Sequence, residues 1–169
     1  MNEAKEIFVI NDRCMGCHSC ELACAVAHSR AGELHAALLS KETPRPVPRL
    51  YVEALASARP VPILCRHCEE APCLHACIAG AIRKSGHTVV TDQDKCIGCW
   101  TCVMVCPYGV VGRHPEDQKA YRCDRCPTLA EPACVTACPT GALVYRSVET
   151  FSRERRRKAA AEQAAGRGD

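Results

Sequence analysis

The sixteen cysteines of this 169-residue chain are its most reactive side chains, and their spacing is regular. They fall into four groups of four: Cys14, Cys17, Cys20 and Cys24; Cys65, Cys68, Cys73 and Cys77; Cys96, Cys99, Cys102 and Cys106; and Cys123, Cys126, Cys134 and Cys138. Groups one and three share the spacing C-x2-C-x2-C-x3-C, whereas groups two and four carry a longer insert in the middle. Thiolates grouped in this way ligate metals, so the pattern indicates metal chemistry.

The spacing of groups one and three is typical of the bacterial ferredoxin run that binds a [4Fe–4S] cube. Three thiolates two residues apart lie on a tight loop, which wraps one face of the cube and points N–H groups at sulfide. Gly16 and Gly98 sit between the first two ligands, where a side chain would crowd the cube or forbid the turn. The fourth cysteine is expected on the first turn of a helix, pointing away toward the other cluster of a pair.

Zinc and disulfides are the alternatives to iron–sulfur clusters. Zinc sites use two pairs of ligands far apart in the chain, and one tetrahedral ion does not need three ligands within residues 14–20. The N-terminal residues show neither a secretory nor a twin-arginine signal, so the expected compartment is the cytoplasm, where thiols stay reduced. Four [4Fe–4S] clusters are therefore expected, and a zinc-bound structural or nucleic-acid module is the competing class.

An internal repeat indicates how the groups pair. Residues 14–24 match residues 96–106, and residues 65–82 match residues 123–143. Between groups two and three, the sequence predicts two strands joined by a turn at Ser85-Gly86, as in the middle of a two-cluster ferredoxin. Groups two and three then form one pair, and groups one and four form the other. Exchange of the fourth ligand within each pair predicts four sites: Cys14, Cys17 and Cys20 with Cys138; Cys123, Cys126 and Cys134 with Cys24; Cys65, Cys68 and Cys73 with Cys106; and Cys96, Cys99 and Cys102 with Cys77.

These pairs predict an α+β fold of tandem bacterial ferredoxin-like dicluster units with a core built around the clusters. The predicted divisions are an outer unit of residues 1–24 and 107–148, an inner unit of residues 65–106, an insertion at 25–64 and a charged tail at 149–169. Strands are predicted at 6–10, 50–55 and 142–148. The first part of the insertion, up to and including residues 32–42, is predicted to form a helix. Residues 43–49 are predicted to form an extended Pro-rich connector. The tail predicts a short solvated helix that frays at GRGD.

The composition agrees with a core that depends on clusters. Although 47% of the residues are hydrophobic, 16 of them are Cys, 24 are Ala and only seven are aromatic, which leaves few large side chains to bury. No apolar stretch approaches the length of about 18 residues that a membrane span needs. The net charge of +3 is too small to indicate a nucleic-acid partner.

The four-group pattern over residues 7–148 resembles the iron–sulfur subunits of bacterial redox enzymes. These include the electron-transfer subunits of formate dehydrogenase-type and dimethyl sulfoxide reductase-type molybdoenzymes and of related hydrogenase complexes. Within this group, CMGCHSCELACAVAHS at 14–29 and CRHCEEAPCLHAC at 65–77 resemble the CooF family, the iron–sulfur partners of nickel carbon monoxide dehydrogenase. The resemblance implies four [4Fe–4S] clusters, a carbon monoxide dehydrogenase as donor and a hydrogenase or other reductase as acceptor. A molybdoenzyme or hydrogenase complex is the alternative partner.

Electron transfer, rather than catalysis, is the expected function. Every thiolate serves as a ligand, and no Gly-rich dinucleotide fingerprint is present, so no place for substrate chemistry is evident. Burial, charge and hydrogen bonds to sulfur then set each reduction potential. Arg66, Arg122 and Arg125 lie beside ligands, where they are expected to raise local potentials. Trp100 is expected to shield a cluster from water, and the basic run at 153–158 to form a solvated helix face.

Overall fold

The computed structural model describes residues 4–43, 45–54, 56 and 58–166. The strands are β1 (Lys5–Val9), β2 (Leu50–Glu53), β3 (Val61–Leu64), β4 (Ile82–Ser85), β5 (Thr88–Thr91), β6 (Gly112–Arg113), β7 (Ala120–Tyr121) and β8 (Leu143–Ser147). The helices are α1 (Ser19–Ala27), α2 (Leu34–Leu39), α3 (Pro72–His75), α4 (Thr101–Met104), α5 (Ala133–Thr136) and α6 (Val148–Ala164). Within these ranges the strands form two-stranded antiparallel sheets, and the predicted α+β ferredoxin-like class is confirmed.

The pairing of β1 with β8 joins the two ends of the chain. Lys5 lies opposite Ser147, and Val9 lies opposite Leu143. The strands predicted at 6–10 and 142–148 are therefore confirmed to within one residue at each end. The hairpin of β4 and β5 is also confirmed, with Gly86 at a φ of 58° in its turn. The strand predicted at 50–55 ends at Glu53, and Leu55 lies outside the described residues.

Thiols replace aliphatic side chains in the interior. Eight of the 21 buried apolar residues in the described ranges are cysteines. The first core packs Ile7, Leu50, Val52, Leu64 and Leu143 around four cysteines from groups one and four. The second core packs Ala71, Ile82, Val89, Val111 and Ala120 around three cysteines from groups two and three. Aliphatic packing alone gives each core little area to bury, so the groups that the thiols bind must contribute to stability.

The insertion does not form the continuous helix that the sequence predicts. Helix α1 ends at Ala27, and α2 covers only Leu34–Leu39. Between them, the Glu42 carboxylate accepts hydrogen bonds of 2.9 Å from the backbone N–H groups of Arg30 and Ala31. The Glu33 carboxylate then caps the start of α2. A helix that is interrupted here leaves backbone N–H groups without helical partners. The Glu42 and Glu33 carboxylates accept hydrogen bonds from these N–H groups and so stabilise the break.

The predicted position of the fourth cysteine of each group is wrong by about one turn. The third cysteine, such as Cys20 or Cys102, lies in the first turn of a helix. The fourth lies in the second turn, as Cys24 does in α1, or just beyond a one-turn helix, as Cys106 does after α4. The reason is that the residue before α1, His18, and the residue before α4, Trp100, have left-handed backbone conformations that start each helix early.

The C-terminal helix α6 projects from the body. Its first turn is capped by Ser147, whose Oγ accepts a hydrogen bond of 3.3 Å from the Thr150 N–H. Phe151 stacks on Phe8 of β1, with ring centroids 4.0 Å apart. From Arg153 to Gly166 every residue is exposed, so the predicted solvated helix is confirmed, and residues 167–169 of GRGD lie outside the described residues. None of the helices in the described ranges has both the length and the apolar character that crossing a membrane requires.

The Phe8–Phe151 stack is expected to hold α6 against the body. Phe151→Ala removes this contact, which is worth about 1–3 kcal/mol for a half-buried aromatic pair. The α6 amides should then exchange with deuterium roughly tenfold faster or more, because detachment of the helix becomes more frequent. Gln163→Ala, on the exposed end of the helix, is the control and should exchange as the unchanged protein does. Equal exchange rates in all three proteins would contradict the prediction.

Candidate metal centres

Two of the predicted ligand sets each surround a cavity. Site A is the cavity lined by Cys14, Cys17, Cys20 and Cys138, with Val52, Pro62 and Leu143 on its other sides. Site D is the cavity lined by Cys77, Cys96, Cys99 and Cys102, with Ile82, Trp100 and Ala120 on its other sides. In both, three cysteines of one group meet the fourth cysteine of another group. Four thiols converging on one cavity form a donor set for a metal cluster.

The other two sets contain no exposed cysteine. Site B comprises Cys24, Cys123, Cys126 and Cys134, and site C comprises Cys65, Cys68, Cys73 and Cys106. In site B, burial and then the neighbouring Cys123 and Cys24 thiols raise the pKa of Cys134 well above its usual range. In site C, burial raises the pKa of Cys65, and Cys73 and Cys106 act in the same direction. Cys68 packs against the second core, which contains Cys73.

A left-handed residue occupies the same place in all four groups. The third residue of each C-x2-C pair has a positive φ: 72° at Gly16, 47° at His67, 71° at Gly98 and 63° at Arg125. The tight turn of the ligand loop requires this conformation, which glycine adopts without strain and other residues adopt at a cost. The sequence predicted the turn at the two glycines. It gave no signal at His67 and Arg125, because neither residue type favours the left-handed region as glycine does.

Backbone N–H groups point at several of the cysteine sulfurs. The N–H of Ala81 donates to Cys77 Sγ at 3.3 Å, and in the repeated position the N–H of Ala142 donates to Cys138 Sγ at 3.2 Å. The N–H of Arg49 donates to Cys24 Sγ, also at 3.2 Å. Such donors stabilise thiolate over thiol and lower the negative charge on a bound cluster.

Site B lies beside a network of hydrogen bonds and ion pairs that the sequence did not predict. Asp124 Oδ2 lies 2.6 Å from Arg49 Nη1, and Asp124 Oδ1 lies 3.1 Å from His28 Nε2 and 3.0 Å from the Cys126 N. His28 Nδ1 donates to the Cys24 carbonyl at 2.7 Å. Burial favours neutral His28, but its hydrogen bonds to Asp124 and Cys24 together outweigh this and raise the pKa of His28 to about 9. The network thus ties α1, the insertion and the loop of group four together beside two ligands.

The histidines and the tryptophan near the ligands differ in their exposure to solvent. His18 and His75 are solvated and lie beside Glu21 and Glu70. His67 is buried, and burial together with the charges of Arg125 and Arg122 lowers its pKa to about 4. Trp100 lines site D and has the Arg113 guanidinium 5.0 Å from its ring.

Two buried donors test whether these residues fit an anionic cluster. In the described ranges, Arg122 Nη2 and His67 Nε2 are buried without a hydrogen-bond partner, and both belong to residues beside site C. A buried guanidinium without a carboxylate requires another source of negative charge. Thiolates around an iron–sulfur cluster supply that charge, so the residues present fit the group. Residues 57–148 match the family described as "4Fe-4S dicluster domain", and residues 11–27 match "4Fe-4S binding domain".

The chain belongs to the 4Fe-4S dicluster family. It is similar to an "Iron-sulfur protein" of Rhodospirillum rubrum, at 37% identity over 86% of this chain and 83% of that protein. It is similar to "Electron transport protein HydN" of Escherichia coli, at 37% identity over 90% of this chain and 97% of the relative. A probable iron–sulfur subunit of the Frd operon of Proteus vulgaris is 46% identical over 61% of this chain and 78% of its own length.

The family match and the sixteen cysteines fit four [4Fe–4S] clusters. The protein is therefore an iron–sulfur electron-transfer protein with no catalytic role of its own, which the names of its relatives also indicate.

The turn in site D is expected to tolerate no side chain at residue 98. A Cβ on Gly98 would lie 2.6 Å from the Gln118 carbonyl oxygen, and the φ of 71° adds strain. Gly98→Ala should therefore lose one cluster and bind about 12 rather than about 16 irons per chain.

Gly86→Ala is the matched control for that substitution. Gly86 has a φ of 58°, but a Cβ there would have no atom within 4 Å. It introduces strain of about 1–2 kcal/mol without a clash, so all four clusters should remain. Anaerobic iron analysis and the electron paramagnetic resonance (EPR) spectrum of the reduced protein distinguish the two variants. Full iron content in Gly98→Ala would show that the clash is relieved without disturbing site D.

Proposed function

We propose that sites A, B, C and D each hold one [4Fe–4S] cluster and that the chain relays electrons between two redox proteins. When bound, each such cluster accepts and releases one electron at a time. The exposure of the ligands carries the proposal: of the sixteen cysteines, all within the described ranges, only Cys17 in site A and Cys99 in site D are exposed. Beside them, Met15 and Ile97 are 64% and 65% exposed. Exposed apolar residues around an accessible ligand are suited to docking a protein partner.

The connections between the sites support a path in the order A, B, C, D. Helix α1 carries Cys20 of site A and Cys24 of site B one turn apart, so it bridges these two sites. Cys73 of site C and Cys77 of site D lie similarly close along the chain at α3. Between B and C, Cys65 of site C packs against the first core, which contains Cys24 and Cys123 of site B.

The same arrangement supports two dicluster units. The outer unit, of residues 1–24 and 107–148, carries sites A and B, and the inner unit, of residues 65–106, carries sites C and D. Val111 and Ala120 pack in the second core, so the hairpin of β6 and β7 covers the inner unit. Because the ligands must remain reduced thiolates, we place this function in the cytoplasm.

For the partners, we propose nickel carbon monoxide dehydrogenase as donor and a hydrogenase or other reductase as acceptor, in anaerobic metabolism. The resemblance of residues 14–29 and 65–77 to the CooF family supports this choice. A formate dehydrogenase-type or dimethyl sulfoxide reductase-type molybdoenzyme, or a hydrogenase complex, is the alternative. The names of the relatives are compatible with either, because they specify electron transport or an iron–sulfur subunit.

The exchange of fourth ligands gives a test by paired substitutions. Cys14→Ala and Cys138→Ala each remove a ligand of site A, so the double variant should bind about as much iron as either single variant, roughly 12 irons per chain. Cys14→Ala with Cys24→Ala removes ligands from sites A and B, so it should bind about 8 irons. If Cys24 instead completes the site of its own group, the variant with Cys14→Ala and Cys24→Ala will lose no more iron than the variant with Cys14→Ala and Cys138→Ala.

The partner proposal is tested by anaerobic capture from native cells, with metal analysis of the captured proteins. Nickel in a stoichiometric partner and about 16 irons per copy of this chain are the expected result. Molybdenum or tungsten would move the chain to a molybdoenzyme. Zinc without iron would contradict the iron–sulfur assignment.

Substitutions at the two ends locate the docking surfaces. Met15→Glu beside site A and Ile97→Glu beside site D place a charge on each exposed apolar patch, so each should weaken capture of one partner. Leu38→Glu is the control, because Leu38 is 70% exposed on α2, in the insertion. Docking at the terminal sites would be contradicted if Leu38→Glu abolished capture of both partners. It would also be contradicted if Met15→Glu and Ile97→Glu left capture of both partners unchanged.

A further inference from the structure

The buried donors without partners concentrate on one of the four sites. In the described ranges, the buried side-chain nitrogens or oxygens that lack a hydrogen bond are Arg122 Nη2 and His67 Nε2. His67 lies between Cys65 and Cys68, and Arg122 contacts Cys73, so both residues face ligands of site C. Buried donors in folded proteins are nearly always paired, so these two indicate an acceptor at site C.

Arg122 brings a full positive charge to this site. The residue is only 2% exposed. Its Nη1 donates to Cys73 Sγ at 2.8 Å, and its Nε donates to Thr91 Oγ1 at 3.0 Å. Among the described residues, no carboxylate lies within ion-pair distance of its guanidinium. Since a guanidinium stays protonated in proteins, the protein itself leaves this charge uncompensated.

Arg125, the other buried arginine in the described ranges, has a carboxylate partner. Arg125 Nη2 lies 3.0 Å from Glu6 Oε1. In site B, Arg49 and His28 share the carboxylate of Asp124. Asp124 offsets one of the two charges beside site B, whereas no carboxylate in the described ranges pairs with Arg122. The Arg122 guanidinium also lies closer to a ligand sulfur, at 2.8 Å from Cys73 Sγ against 3.6 Å between His28 Nδ1 and Cys24 Sγ.

His67 adds a buried neutral donor within the ligand loop of group two. Its Nδ1 accepts a hydrogen bond of 3.0 Å from the Val89 N–H, so the proton of the neutral ring is on Nε2. The ring lies beside a ligand, with Nδ1 3.8 Å from Cys65 Sγ. Nε2 is therefore a buried donor that has no partner among the described residues.

We propose that Arg122, with His67, makes site C the most easily reduced of the four sites, so that it holds an electron at the junction of the two dicluster units. The inference rests on the proposed function, which supplies one electron at a time from the redox partner. Uptake of that electron adds one negative charge at site C, and the fixed guanidinium compensates it without uptake of a proton. The charge-assisted hydrogen bond to Cys73 favours the more negative state, which raises the reduction potential.

The test is a potentiometric titration of the fully loaded protein, followed by EPR. Arg122→Met should lower the equilibrium constant for reduction of one cluster by about tenfold or more, which is 59 mV for a one-electron couple. Arg122→Lys keeps the charge and should recover most of that potential. Arg83→Met is the matched control, because Arg83 is an exposed arginine on β4, and its loss should leave all four potentials unchanged.

A ligand substitution identifies the cluster concerned. Cys106→Ser changes a ligand of site C that Arg122 does not contact, so it should alter the EPR signal that appears first during stepwise reduction. This assignment decides the proposal even if Arg122→Met fails to assemble its clusters. A first signal that is insensitive to Cys106→Ser, or an unshifted potential in loaded Arg122→Met, would overturn the inference while leaving the electron relay intact. Absence of four clusters in the unchanged protein would instead overturn the proposed function.

Discussion

The grouping of sixteen thiols, eight of them buried, around a small interior is the constraint on which the rest of this structure depends. Burial disfavours thiolate and raises the pKa of Cys20 to about 11 and that of Cys123 to about 12. Iron binds only the thiolate, so assembly of each cluster must displace protons, and the binding free energy becomes part of the folding free energy. Two cores with few large aliphatic side chains are sufficient only because metal–thiolate bonds connect their walls.

The internal repeat gives the scaffold its two similar ends. Met15 and Ile97 occupy equivalent positions in groups one and three, as do the exposed ligands Cys17 and Cys99. In the relay that we propose, sites A and D are the accessible terminal sites, and duplication of one motif accounts for both. The repeats are not identical in their surroundings, because Arg122 donates a hydrogen bond to Cys73. Similar backbones can therefore hold clusters of different potential, because nearby charges and hydrogen bonds set the potential.

The sequence was sufficient for features that depend on local spacing. The cysteine spacing predicted the [4Fe–4S] clusters, and alternation of side chains with turn residues predicted β1, β4, β5 and β8. It was insufficient where a contact joins distant residues. His28 and Asp124 are 96 positions apart, and nothing in either segment indicates their hydrogen bond. The break after Ala27 was missed for a similar reason, since Glu42 satisfies the freed backbone from beyond α2.

The choice of residue in the ligand turn shows how the fold differentiates its sites. Gly16 and Gly98 meet the left-handed requirement of groups one and three without strain, but glycine has no side chain to interact with a cluster. Groups two and four place His67 and Arg125 in the same conformation and accept strain of about 1–3 kcal/mol for each. Both side chains are buried. Strain retained at a buried polar residue is explained if its side chain has a role there. At His67 that role is the buried Nε2 donor, which is available to an acceptor at site C.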